Sequence, residues 1–430
     1  MAAFVRTACW LGVCEVRSCS LFTFSSKFAS KARQLCSKLG CDESNHTSND
    51  CKKITVQDSA DKIGSSDLEI DGKQVKELLD SFAKPDIAEQ EALTGLSDEN
   101  SNLQLPRRKP AVDPADTSIL LFPGQGSQFV GMGEKLLGAP NVKEIYQAAS
   151  EILGYDLLEL CLNGPKEELD KTIHCQPAVF VTSIAAAQSL QHQNPWAIDN
   201  CVATAGFSVG EFAALVFAGV MQFEDALRLV QIRAKAMQRA SEDVASGMIS
   251  VMGTHTTKYR SACLEARSYC NNVLGLPDPV CSIANYLFPD GRVIAGNVEA
   301  LQFISENARQ FGIRNVKRLP VSGAFHTSLM TSAQYDFREA IKDLKLERPS
   351  IYVISNVEGK RYSLLKQIKN ALVKQIVSPV KWEQSMHVLY QRRQGTSFPQ
   401  TFEVGPGKQL GALLKRLNLK AWNSYKSVEV

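Results

Sequence analysis

Ser208 has a glycine two positions to either side, in Gly206-Phe207-Ser208-Val209-Gly210. A short apolar run, 201–205, precedes it, and a segment that reads as helix follows from Glu211 onward. A strand-to-helix turn this tight excludes bulky neighbours and leaves the serine Oγ exposed at a helix N-terminus, which is the arrangement of a nucleophile elbow. The same five residues also suit a glycine-rich turn whose serine only caps the helix. Partners elsewhere in the chain have to decide.

A serine nucleophile needs a base, and histidine is the commonest because its pKa lies near neutrality. The chain has six histidines. His46 falls in a polar N-terminal stretch, His174 and His192 precede the elbow, His255 follows Thr254 in a turn, and His387 sits in a helix rich in polar residues. His326, in Leu319-Pro320-Val321-Ser322-Gly323-Ala324-Phe325-His326-Thr327, lies just beyond a strand, where one unit of the fold hands over to another. Loops at such junctions favour function. The alternative is a histidine that only packs or caps the loop.

A cation joins the candidates. In 224–242 the apolar residues Ala226, Leu229, Val230, Met237 and Ala240 follow helical spacing, and Arg233 interrupts that stripe. A buried guanidinium keeps its proton and must meet an anion, which is either a protein carboxylate or a substrate carboxylate. Two glycine-rich stretches fail as phosphate loops. Gly124-Gln125-Gly126 has Phe129 where a dinucleotide fingerprint needs its third glycine, and Gly405-Pro406-Gly407-Lys408 lacks the spacer and the following Ser or Thr. The first suits an oxyanion site better, since main-chain donors approach a reacting carbonyl closely where side chains are absent.

These residues need elements to hold them. A strand at 118–122 runs into the glycine loop, a buried helix at 177–190 starts at its proline, and the elbow strand and helix follow. Buried strands alternating with helices predict a parallel sheet covered on both faces. Between 248 and 319 the pattern is strand 248–252, helix 258–269, strands 280–285 and 292–295, helix 298–311 and strand 316–319. That βαββαβ order is the ferredoxin-like signature. Later elements are a strand at 351–355, helices at 364–377 and 382–392, a strand at 401–404 and a helix at 409–417.

The expectation is an α/β fold, with an α/β-hydrolase-like core spanning 117–247 and 320–425 and an inserted ferredoxin-like α+β subdomain at 248–319. Residues 1–40 hold six Lys or Arg against one acid, with many Ser, Ala and Phe, and predict a mitochondrial transit peptide. Residues 41–116 read as a flexible acidic linker, with fifteen acids against six lysines over 42–100 and one short helix near 75–82. The net charge of +3 gives no ground for nucleic-acid binding. No uncharged apolar run reaches the roughly 18 residues of a membrane span. Six of the twelve cysteines fall in the first 51 residues, and the other six lack Cys-x-x-Cys spacing, so buried free thiols are expected.

Taken in order, Phe122-Pro123-Gly124-Gln125-Gly126-Ser127-Gln128, the elbow through Glu211, Arg233, His326 and Glu403-Val404-Gly405-Pro406-Gly407 resemble the landmarks of the malonyl-CoA:acyl carrier protein transacylases, over about 117–425. The N-terminal extension suits the mitochondrial branch of that family, and so a place in the matrix. The resemblance implies Ser208 as nucleophile, His326 as general base, the Gln125 and Val209 amides as oxyanion hole, and Arg233 as the binder of the malonyl carboxylate. Gln375 matches the residue whose main-chain carbonyl orients the histidine. Phe325 matches a position that accompanies malonyl over methylmalonyl selection. The partners implied are malonyl-CoA and acyl carrier protein, with no cofactor, no metal and a monomeric enzyme. Lys408, Lys415, Arg416 and Lys420 are the cations available to an acidic carrier, or else a solvated basic face. The chain departs from the family at Phe207, where most members have histidine.

Two other readings stay open on sequence. A serine hydrolase would need an acid between Ser208 and His326, and Asp225, Asp278 and Asp290 are available. A carrier-binding scaffold without catalysis is suggested by Phe207 alone.

Overall fold

A computed structural model describes residues 112–430 of the chain. The expected transit peptide, His46 and the helix near 75–82 lie outside the described residues. Of the expected linker only 112–116 is described, where Asp113 caps a 3-10 turn at Pro114–Asp116.

Two five-stranded sheets organise the fold. The first is wholly parallel, in the order β10-β9-β1-β2-β7, from β1 (Ser118–Phe122), β2 (Cys201–Gly206), β7 (Tyr352–Ile354), β9 (Gln400–Glu403) and β10 (Tyr425–Ser427). All five residues of β1 are buried, as a central parallel strand covered by helices requires. Helices α1 (Val142–Leu153), α2 (Thr172–Gln193), α3 (Gly210–Phe217) and α4 (Phe223–Asp243) pack in the same layer system.

The second sheet contains β3 (Ser246–Met252), β4 (Cys281–Phe288), β5 (Gly291–Asn297) and β6 (Asn315–Arg318), in the order β6-β3-β5-β4 and antiparallel throughout. With α5 (Tyr259–Asn272) and α6 (Val298–Glu306) it forms the ferredoxin-like unit. A fifth strand extends it, because β8 (Val380–Lys381) adds to β4 in parallel register. The later helices are α7 (Thr331–Ile341), α8 (Leu365–Gln375), α9 (Trp382–Tyr390) and α10 (Gln409–Leu417). Glu403 fixes the last of these against β9: its carboxylate accepts from the Leu410 and Gly411 amides at the start of α10 and from Tyr425 Oη.

Two expectations need correction. Helix α2 begins at Thr172, with Pro177 inside it. Its residues are buried on nearly every face, so packing outweighs the one amide bond that the proline removes. The helix expected over 298–311 stops at Glu306, where the Asn307 side chain caps the Phe303 carbonyl, and continues as a 3-10 turn at Ala308–Phe311. The six cysteines from Cys161 to Cys281 are buried and form no disulfide among the described residues.

Gly206 ends β2 where the chain reverses into α3. A Cβ at this position would lie 1.9 Å from the Gly210 carbonyl oxygen, and one at Gly210 would lie 2.3 Å from that of Phe122. These obstacles are backbone and cannot rotate away. Gly206→Ala should therefore cost about 1–3 kcal/mol or more of stability in urea unfolding.

Candidate active site

The carboxyl ends of four adjacent parallel strands converge on one place. β1 leads into the loop 123–128, β2 into the elbow, β7 into Asn356, and β9 into Gly405. Crevices of this kind at strand ends are where open α/β sheets bind ligands.

Ser208 occupies the left-handed region, at φ 55°, which a non-glycine residue holds only when its surroundings impose it. The constraints are visible. Phe207 N–H donates to the Phe122 carbonyl at 2.9 Å, Gly210 N–H to the Phe207 carbonyl at 2.9 Å, and Ser208 N–H to Asn356 Oδ1 at 2.7 Å. The side chain stays half-buried, with Oγ 3.0 Å from His326 Nε2.

His326 is also left-handed, at φ 62°. Its loop is anchored by Ala324 N–H on Ser246 Oγ and by Thr327 Oγ1 on the Ala324 carbonyl. The other ring nitrogen, Nδ1, lies 2.7 Å from the main-chain oxygen of Gln375. A carbonyl can only accept, so Nδ1 carries the proton and Nε2 presents its lone pair to Ser208. Burial, and then the Arg233 charge, lower the imidazole pKa to about 4 against a smaller upward pull from the Gln375 carbonyl. The ring is therefore a neutral acceptor at physiological pH.

Arg233 is fully buried on α4. Its hydrogen bonds all go to neutral oxygens: Nη1 donates to Gln176 Oε1 at 2.5 Å, and Nη2 to Gln375 Oε1 at 2.9 Å and Ser208 Oγ at 3.0 Å. Nε has no partner among the described residues. Burial lowers the guanidinium pKa to about 10, with Glu211 pulling it back up, and it remains charged at neutral pH. A buried cation that meets no carboxylate directly, placed beside a nucleophile, is equipped to receive an anionic acyl group.

Gln125 is half-buried in the loop after β1, and its Nε2 donates to Thr172 Oγ1 at 3.1 Å. Val209 is buried and forms the N-cap of α3. Neither main-chain amide donates to another backbone group among the described residues, so both are available to an oxyanion. Phe325 is buried beside the histidine. Phe207 packs against Trp382, ring centroids 5.3 Å apart, and so joins the elbow to the first residue of α9, directly after β8. An apolar ring suits that contact.

The other candidates lie apart. His174 stacks edge-on to Tyr155 and approaches Glu168, while His192, His255 and His387 are exposed. Asp225 pairs with exposed Arg228, Asp278 lies in the loop before β4, and Asp290 contributes its carbonyl to Tyr259 Oη. None of the three meets His326, whose acceptor is the Gln375 carbonyl, so the carboxylate that a hydrolase triad would require is missing from that position. Of the C-terminal cations, Lys415 lies over Trp422 and Arg416 over Phe288. Lys408 is exposed next to Gln409, whose Nε2 donates to the Gly126 carbonyl beside the oxyanion loop.

Sequence reasoning passed over Gln176, Asn356 and Tyr362. Gln176 is one of four glutamines in its helix, and only its burial, which the sequence does not show, sets it apart. Asn356 and Tyr362 follow a three-residue strand and carry no local pattern.

Comparison with known proteins shows the family. The acyl transferase domain family matches residues 119–397. The chain is 57% identical over 317 residues to the human mitochondrial malonyl-CoA-acyl carrier protein transacylase, covering 74% of this chain and 81% of that one. It is similar to the solved acyl-carrier-protein S-malonyltransferase of Burkholderia pseudomallei, with TM-score 0.64 and 33% identity over 73% of this chain and 96% of that one. A type II PKS acyl-carrier protein in complex with its malonyl-transacylase aligns with TM-score 0.64 and 31% identity, over 73% and 96% of the respective chains.

Because His326 is neutral until the pH approaches about 4, labelling of Ser208 by an uncharged serine-directed reagent should persist as pH falls from neutral and be lost only near that value. Loss of labelling already near pH 6.5, the ordinary histidine value, would contradict this environment.

Proposed function

Since the chain belongs to the malonyl-CoA-acyl carrier protein transacylases of the acyl transferase family, we propose that Ser208, His326 and Arg233 carry out its malonyl transfer. The enzyme moves malonyl from malonyl-CoA to acyl carrier protein, in the mitochondrion, supplying fatty acid synthesis. The observation that carries the residue assignment is Arg233: a fully buried guanidinium, 3.0 Å from the candidate nucleophile, bonded only to neutral oxygens.

In the first half-reaction Ser208 Oγ attacks the thioester carbonyl of malonyl-CoA while its proton passes to His326 Nε2. The Gln125 and Val209 amides hold the tetrahedral oxyanion. Collapse breaks the carbon–sulfur bond, and the departing CoA sulfur takes the proton back from His326. In the second half-reaction the phosphopantetheine thiol of the carrier gives its proton to His326 and attacks the malonyl-serine ester. Collapse returns the serine oxygen, which recovers the proton. The Gln375 carbonyl keeps the imidazole in the tautomer both halves need.

Arg233 accounts for selectivity as well as binding. A malonyl carboxylate satisfies its charge, whereas an acetyl group leaves it without an anion. Phe325 crowds a substituent on malonyl C2 and so disfavours methylmalonyl, a steric preference of about 1–3 kcal/mol. The enzyme works as a monomer in the matrix, a reading supported by the direct hydrogen bonds that join Ser208, His326, Arg233 and Gln375 within one chain.

Intact mass after incubation with malonyl-CoA, acetyl-CoA and methylmalonyl-CoA in competition should show one covalent malonyl group, absent in Ser208→Ala. A malonyl adduct that persists in that variant would move the nucleophile elsewhere. Arg233→Ala should lose malonyl transfer by about 30-fold or more, the cost of losing a charged hydrogen-bonded pair, with a much smaller loss of acetyl transfer. Equal losses would make the arginine structural.

A further inference from the structure

Glu211 lies three residues after Ser208, in the first turn of α3, and its carboxylate is buried. Three donors converge on it from two other segments. Tyr362 Oη donates to Oε1 at 2.6 Å, the Asn356 main-chain N–H to Oε1 at 3.2 Å, and Gln375 Nε2 to Oε2. Asn356 and Gln375 are the residues that hold the reactive groups. Asn356 Oδ1 accepts from Ser208 N–H, and its Nδ2 donates to the Gly206 carbonyl at 2.7 Å. Gln375 spans three sites at once: its main-chain oxygen meets His326, its Nε2 also reaches the Ser208 carbonyl at 3.1 Å, and its Oε1 accepts from Arg233.

A glutamine amide can present either end, and an acceptor on one side decides which. An ionised carboxylate only accepts, so Glu211 draws the NH2 group of Gln375 to itself and turns Oε1 toward the guanidinium. We infer that Glu211 is the positioning residue of acyl selectivity: through the Gln375 amide it sets the orientation in which Arg233 receives the malonyl carboxylate. This rests on the reading of Arg233 as the malonyl site. If Glu211 is protonated or replaced by an amide, its hold on the Gln375 NH2 group weakens and the Ser208 carbonyl is left as the closest acceptor at that end of the amide.

The carboxyl is poised for such a change. Burial raises its pKa to about 7, against the opposing pull of Tyr362, Asn356, Gln375 and the Arg233 charge. The charged or titratable groups facing it are Arg233 from α4, Tyr362 from the segment after β7 and, through Gln375, His326 from the loop after β6. Arg233 stays charged, Tyr362 is held well above its usual range and His326 stays neutral, so none of them titrates near 7.

The test measures single-turnover acylation of Ser208 by malonyl-CoA and by acetyl-CoA across pH. In the wild-type protein the malonyl-to-acetyl ratio should fall about tenfold as pH drops through about 7. Tyr362→Phe removes one donor to the carboxylate, raises its pKa further and should move that fall to higher pH. Glu211→Gln should show the low ratio at every pH. A wild-type ratio flat across this range would overturn the inference, as would a Glu211→Gln variant that loses both acyl groups equally, because a merely structural role disturbs Ser208 and His326 for either substrate. A wild-type protein that does not prefer malonyl at any pH would instead sink the reading of Arg233 itself, so the two failures are distinguishable. The wild-type profile and Tyr362→Phe decide the matter even if Glu211→Gln does not fold.

Discussion

The structure turns on a buried guanidinium that is solvated by amides in place of a carboxylate. Taking Arg233 out of water is costly, and a direct ion pair would be the simplest compensation. Here Gln176 and Gln375 supply neutral oxygens, and the negative charge of Glu211 acts from behind Gln375. Neutral partners accept from both Nη groups without cancelling the field. A direct carboxylate would have neutralised that charge.

The same cluster explains how strain is maintained at the reacting atoms. Ser208 and His326 both hold left-handed backbone conformations, each costing on the order of 1–3 kcal/mol. The elbow is kept by hydrogen bonds to the end of β1 and to Asn356 beyond β7, and the histidine by its loop anchors and the Gln375 carbonyl. Ser208, His326 and Arg233 are thus braced against one another through buried amides, not through separate loops. A main-chain carbonyl as the histidine's acceptor fixes its tautomer without adding a carboxylate beside Arg233.

Phe207 gains a physical account from this arrangement. Its ring meets Trp382, which follows the strand that joins the second sheet. The residue next to Ser208 therefore contributes to packing between the elbow and the segment linking the two sheets. Its apolar ring serves that contact, while the serine and both glycines of the turn are retained.

The sequence by itself determined what depends on local spacing: the glycines of the turn, the arginine inside an apolar helical stripe, and the βαββαβ order of the second sheet. Period and turn chemistry act over a few residues and are written where they act. It misjudged helix boundaries at Pro177 and Asn307, because packing and side-chain caps override local propensity. Only the tertiary structure brought His326 to Ser208, since the sequence separation of 118 spans the four strands β3 to β6. It alone brought Gln176, Asn356 and Tyr362 to the site and gave Glu211 its buried environment. Single amides and hydroxyls carry no pattern in a sequence; their meaning is set by which donor they face once the strand ends have converged.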